Sequence, residues 1–280
     1  MLAVVGGVML AGLAWREAAP AWPPLPRHDR AARRATRWAL GAVAWAAASL
    51  LIAPLVIVAI RSAGGWTTLG AAGTALGASV ALGLGAAIVG TTLAVAAAHV
   101  AERQPSTLGR IADALTSVPA VVPAIVAAVG WTLVGGRPAG ASGEALPLAI
   151  AIVAAWELPT ATRAARTALV RTTRAREQAA AILGAGGLAL LTRIVGPALR
   201  PVAAGIAAHL FAAGVLAAGS VIVLTGARPG LGAITVLTLA TTGAIGAACA
   251  VAIVLLVLAG GALVLGRAIA GRRLGPTLLT

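Results

Sequence analysis

The 280 residues are 60% hydrophobic and 10% charged, against ~45–50% and roughly 25% in ordinary soluble domains. At a mean hydropathy of +1.00, too little polar surface exists to cover a water-facing exterior, which excludes a soluble globular enzyme and a disordered chain. The formal charge is +14 and every basic side chain is arginine, so the excess is tested first against the arginine bias of cytoplasmic membrane-protein loops.

A helix crosses the ~30 Å bilayer core with about 20 apolar residues at ~1.5 Å each. Seven stretches meet this measure approximately: Met1–Trp15, Trp38–Ile60, Leu76–Val100, Ile111–Val134, Leu146–Ala165, Val202–Leu224 and Gly243–Gly266. The expected fold is therefore an all-α, polytopic integral membrane protein with about seven transmembrane helices. One leading helix precedes a six-helix core. A signal peptide competes for the short first stretch, but no basic residue before Arg16 supplies its positive n-region. Residues 1–37 form that helix and an Arg/Pro linker, and residues 38–280 form the core. Pro20, Pro23, Pro24 and Pro26 make the linker an extended connector, its arginines facing anionic lipid headgroups. Gly77, Gly83, Gly85 and Gly90 suit the third span to close helix packing. Pro119 and Pro123 interrupt the hydrogen-bond ladder of the fourth and should bend it beside protein or a cavity.

Alternation across these spans places eighteen of the 21 arginines on one side. That side holds the linker, Arg103 and Arg110, the run from Arg163 to Arg200, and the C-terminal Arg267, Arg272 and Arg273. Arg61, Arg137 and Arg228 fall opposite. The bias fixes the first side as cytoplasmic in a multi-pass plasma-membrane protein, with the linker, the long loop and the C-terminus inside. The basic charge then needs no nucleic acid. Membrane lipid is partner enough.

The loop from Thr162 to Arg200 is long, basic and free of proline between Pro159 and Pro197. Its alanine, arginine and glutamine favour helix. Ala179, Ile182 and Leu183, then Leu188, Leu191 and Ile194, form an apolar stripe interrupted by Gly184, Gly186 and Gly187. A helix, a glycine turn and a second short helix follow. An apolar face outside the bilayer must be covered. A soluble partner would cover it, and so would the membrane surface or the ends of neighbouring helices.

Gln178-Ala179-Ala180, Gly184, Ile194 and Pro197 resemble the EAA loop of ABC-importer permeases. These belong to the binding-protein-dependent, methionine-importer-like superfamily. Its pattern is Glu-Ala-Ala, three residues, Gly, nine residues, Ile, one residue, Leu-Pro. Gln178 replaces the Glu and Gly196 the Leu. Ser220–Leu224 and Gly246–Ala250 look like parts of the last two helices of permeases for ferric iron and aminoethylphosphonate, and the leading helix with its linker looks like the joint of tandem permeases. The resemblance implies a non-catalytic membrane subunit with no cofactor of its own, ATP and Mg being bound by a cytoplasmic ATPase dimer seated on Gln178–Gly186. It further implies a second permease half, pseudo-symmetric or identical, and an extracytoplasmic solute-binding protein. Ferric iron is the first substrate it suggests; phosphonate, thiamine, sulfate, molybdate and polyamine are alternatives. Some iron permeases carry an acid just before the position of Ser220, where this chain has Ala217-Ala218-Gly219. Consistent with an ATPase on a separate subunit, no phosphate-binding GxxxxGK loop is present.

Polar residues within spans invite individual readings. Glu157 is expected to pair with Arg163, and His209 to make an interhelical hydrogen bond rather than ligate metal, since no Asp, Glu or Tyr lies near it in sequence. Asp113 caps its helix or bonds Arg110, and Cys249 is a small buried residue. Ser117, Thr160 and Ser220, with Pro119 and Pro123, are the translocation-path candidates, although Ser and Thr also bond their own helix carbonyls. No metal site is expected. A self-sufficient secondary carrier, the competing class, would show inverted repeats and ion-coupled intramembrane acids.

Overall fold

The computed structural model describes residues 30–103, 107–120, 122–135, 145–171, 174–186, 191–225 and 230–271. Among these every regular element is helical. Helix α1 spans Arg30–Arg61 and leads through two 3-10 turns, Ser62–Gly64 and Trp66–Thr68, into α2, Leu69–Arg103. Then come α3 (Thr107–Ser117), α4 (Ala124–Gly135), α5 (Ala145–Arg171) and α6 (Arg174–Ile182). A π-helical turn, Leu191–Val195, enters α7 (Gly196–Val215), followed by α8 (Gly219–Thr225), α9 (Gly232–Thr241) and α10 (Ile245–Gly271).

Among the described residues three stretches are long and apolar enough to cross a bilayer: Trp66–Arg103, Arg193–Val215 and Ile245–Ala270. Shorter apolar helical segments accompany them at Ile52–Gly64, Ala124–Leu133 and Gly232–Thr241. Large apolar side chains remain exposed around the outside, including Trp38 and Trp45 on α1, Trp131 on α4 and Val264 on α10. Such a surface is stable against lipid and not against water. The protein is a helical, membrane-embedded bundle.

Helix α2 is its axis. With 35 residues it reaches about 50 Å at the α-helical rise, well beyond the bilayer core. It packs against both α5 and α7; α10 covers α7, and α1 and α9 lie on α10. The α2–α7 crossing depends on small residues. A Cβ on Gly83 would lie 2.9 Å from the Phe211 carbonyl oxygen, and one on Gly214 would lie 2.7 Å from the Gly83 Cα. Lipid gives helices no hydrophobic reason to associate, so close approach of this kind supplies the packing energy. Ser79, fully buried on α2, accepts a 2.9 Å hydrogen bond from the Gly232 amide, satisfying one of the exposed donors at the start of α9.

Several expectations change. The first stretch, Met1–Trp15, and Pro20–Pro26 lie outside the described residues, whereas Arg30–Arg37, expected as part of an extended linker, already belongs to α1. Nothing in Arg30–Arg37 breaks a helix, and its alanines and arginines favour one. The fourth span is not one bent helix. It divides into α3, a 3-10 turn at Val118–Ala120 and α4, because two prolines four residues apart each remove an amide donor from the same ladder. The sixth span also divides, at Leu216–Ala218, into α7 and the short α8. The segment between the sixth and seventh stretches, expected as an external loop, contains α9.

Candidate functional site

The most distinctive surface feature is α6 and the turn that ends it. Two periodicities explain how it sits. Glu177 and Ala180, three residues apart, face the bundle; Gln178, Ala179 and Ile182 face outward. Glu177 is buried, and its Oε1 accepts a 2.6 Å hydrogen bond from Arg103 Nη2 at the end of α2. The same Arg103 nitrogen donates to the Leu169 carbonyl of α5 at 3.2 Å. A single guanidinium thus joins three elements.

Gly184 ends the helix. Its φ of +79° is one of the two positive glycine torsions among the described residues. The Ala185 amide donates to the Ala180 carbonyl at 3.0 Å and the Leu183 amide to Ala179 at 3.1 Å, a Schellman-type closure in which glycine occupies the left-handed position without a Cβ penalty. The turn leaves Ile182 85% and Leu183 86% exposed. Of the sequence-derived loop residues, Gln178, Ala179, Ala180 and Gly184 come together on α6 and its cap. Ile194 lies in the π-helical turn packed beside α6, with Val195 buried as its anchor, and Pro197 falls in the first turn of α7. Leu188 lies outside the described residues.

A second ion-pair cluster braces the same end. Arg166 on α5 donates from Nε to Glu102 Oε1 at 2.7 Å and from Nη1 to Asp113 on α3. Asp113 therefore pairs with Arg166, where capping or a bond to Arg110 had been expected. Its correct partner is 53 residues away in sequence.

Deeper along α5, Glu157 Oε2 lies 2.9 Å from His209 Nε2 on α7. This corrects the expected Glu157–Arg163 pair: Arg163 turns back to donate from Nε to the Pro159 carbonyl at 3.1 Å. The interhelical role expected of His209 holds, but its acid neighbour was invisible in sequence. Among the described residues no group of three or more His, Cys, Asp or Glu side chains is placed to hold a metal ion.

The path candidates are dispersed. Ser117 Oγ donates to the Asp113 carbonyl of its own helix at 2.8 Å, the local use open to any helical serine. Pro119 is half-buried in the 3-10 turn, and Pro123 is exposed just before α4. Thr160 is exposed one turn from Glu157, so these two share a face of α5. The side chain of Ser220 lies outside the described residues. Cys249 is half-buried.

The register of Glu177 is the feature that sequence reading missed. It lies beside Gln178, and one step along a helix rotates a side chain by about 100°, so the acid points inward while the amide points out. Compared with known proteins, the chain matches no family model, and no curated protein matches it.

Proposed function

We propose that the chain is the transmembrane permease subunit of an ATP-driven importer, passing a small solute received from an extracytoplasmic binding protein. Helix α6 carries this reading. It is a short helix fastened to the bundle on one face, ended by a left-handed glycine, and presenting Ile182 and Leu183 uncovered on the other. A cytoplasmic ATPase would bury those side chains, and Gln178, exposed beside them, would hydrogen-bond across the contact. Two ATPases and a second permease half would complete the assembly, with the arginine-rich ends of the helices cytoplasmic. In this reading α1, α2, α3–α4, α5, α7–α8 and α10 are the six core spans and Met1–Trp15 is a seventh. Ferric iron is the first substrate to test and a phosphonate the second.

The Glu157–His209 pair favours a second reading, an ion-coupled carrier, because titratable pairs at membrane depth mark ion pathways. Uptake into proteoliposomes containing the purified assembly separates the two. The importer reading expects uptake only with ATP on the α6 side and binding protein on the other. Uptake driven by a proton gradient, with neither ATP nor binding protein, would support the carrier.

A further inference from the structure

The end of α2 carries two adjacent residues that each tie separate elements together. Glu102 receives Arg166 of α5, which also holds Asp113 of α3. Arg103 reaches Glu177 of α6 and the Leu169 carbonyl of α5. The Arg103 and Glu177 side chains are only 11% and 10% exposed. A shielded charge pair that also satisfies a carbonyl holds position more firmly than an exposed one, and removing either partner strands the other. A single guanidinium nitrogen, Nη2, bonds the two elements at once.

We infer that Arg103 and Glu177 are the positioning pair that transmits movement of α6 into the bundle. Glu177, the loop's acidic residue, acts inward as a fastener rather than outward as a contact. Force applied to Ile182 and Leu183 passes through Glu177 to Arg103, and so to α2, which packs on both α5 and α7. Without the pair, α6 moves while α2 stays. This inference rests on the proposed docking of an ATPase on α6.

A spin label at Gln178→Cys on a Cys249→Ala background reads the fastening, and a label at the exposed Thr241→Cys serves as control. Glu177→Gln and Arg103→Gln should each mobilise the first label several-fold and leave the control unchanged. Their combination should do no more than either alone, because the residues act as a unit. Arg103→Lys should recover part of the order. In the reconstituted assembly, uptake should fall several-fold further than the amount of ATPase retained. Additive effects on label mobility, an unchanged label, or uptake falling only in step with ATPase loss would overturn the inference. If the unaltered chain bound no ATPase, the importer reading would fail while the label cycle still decided the fastening.

Discussion

On the proposed importer function, Gly184→Asp is expected to strip the ATPase subunits from the purified protein and abolish uptake, with membrane insertion intact. The cause within the chain is torsional, since a Cβ at this position meets nothing within 4 Å. A non-glycine residue at a φ of +79° costs on the order of 1–3 kcal/mol, enough to open the Ala185–Ala180 closure and shift Ile182 and Leu183. The added carboxylate would also bring a charge into the proposed apolar contact. Gln178→Glu should be tolerated, because residue 178 is exposed and the amide hydrogen bond proposed for it across the contact would be worth about 0.5–1.5 kcal/mol net. Gly243, with φ +83° at the end of α9 and a matching amide closure from Ala244 to Leu239, is the natural control. Gly243→Asp should cost comparable stability yet leave the ATPase bound. Co-purification and uptake assays on the three variants check these outcomes, and full uptake with a normal ATPase complement in Gly184→Asp would contradict the assignment.

Gly83→Leu should have the largest effect on stability. Overpacking a core ordinarily costs ~1–3 kcal/mol, but here the obstacle is backbone: the Phe211 carbonyl oxygen would be 2.9 Å from the new Cβ. A carbonyl on a facing helix cannot rotate away as a side-chain end can, so α2 and α7 must separate. Thermal unfolding in detergent should show a lowered midpoint or no folded fraction. Gly77→Ala tests the opposite case on the same helix. Gly77 is exposed and its Cβ would meet nothing within 4 Å, so the exchange should stabilise by up to about 1 kcal/mol through helix propensity. Equal destabilisation by both substitutions would show that the crossing is not set by close approach.

The apolar runs of α2 and α10 were legible in the sequence because burial in lipid demands length and hydrophobicity alone. Positions that depend on three-dimensional register were not. Pro119 and Pro123 announced a disturbance, yet whether the ladder would bend or part depends on neighbours such as α8, against which α4 packs. No proline marks the break at Leu216–Ala218. Gly184 could be read because its left-handed torsion has a residue-specific requirement. Glu157 and His209 could not be paired, since 52 residues separate them and only the packing of α5 on α7 brings them together. The inward turn of Glu177 needed the position of Arg103, which sequence spacing does not encode.

The proposed importer function requires an ATPase to cover the exposed end of α6. A photo-crosslinking residue at position 183, activated in intact membranes, tests it most directly. Leu183 is 86% exposed, so the probe reaches whatever lies over the turn. The expected result is a crosslink to a cytoplasmic nucleotide-hydrolysing subunit, lost in Gly184→Asp. Crosslinks only to lipid, or only within the chain itself, would contradict it, because the membrane surface or a neighbouring helix end would then cover Ile182 and Leu183.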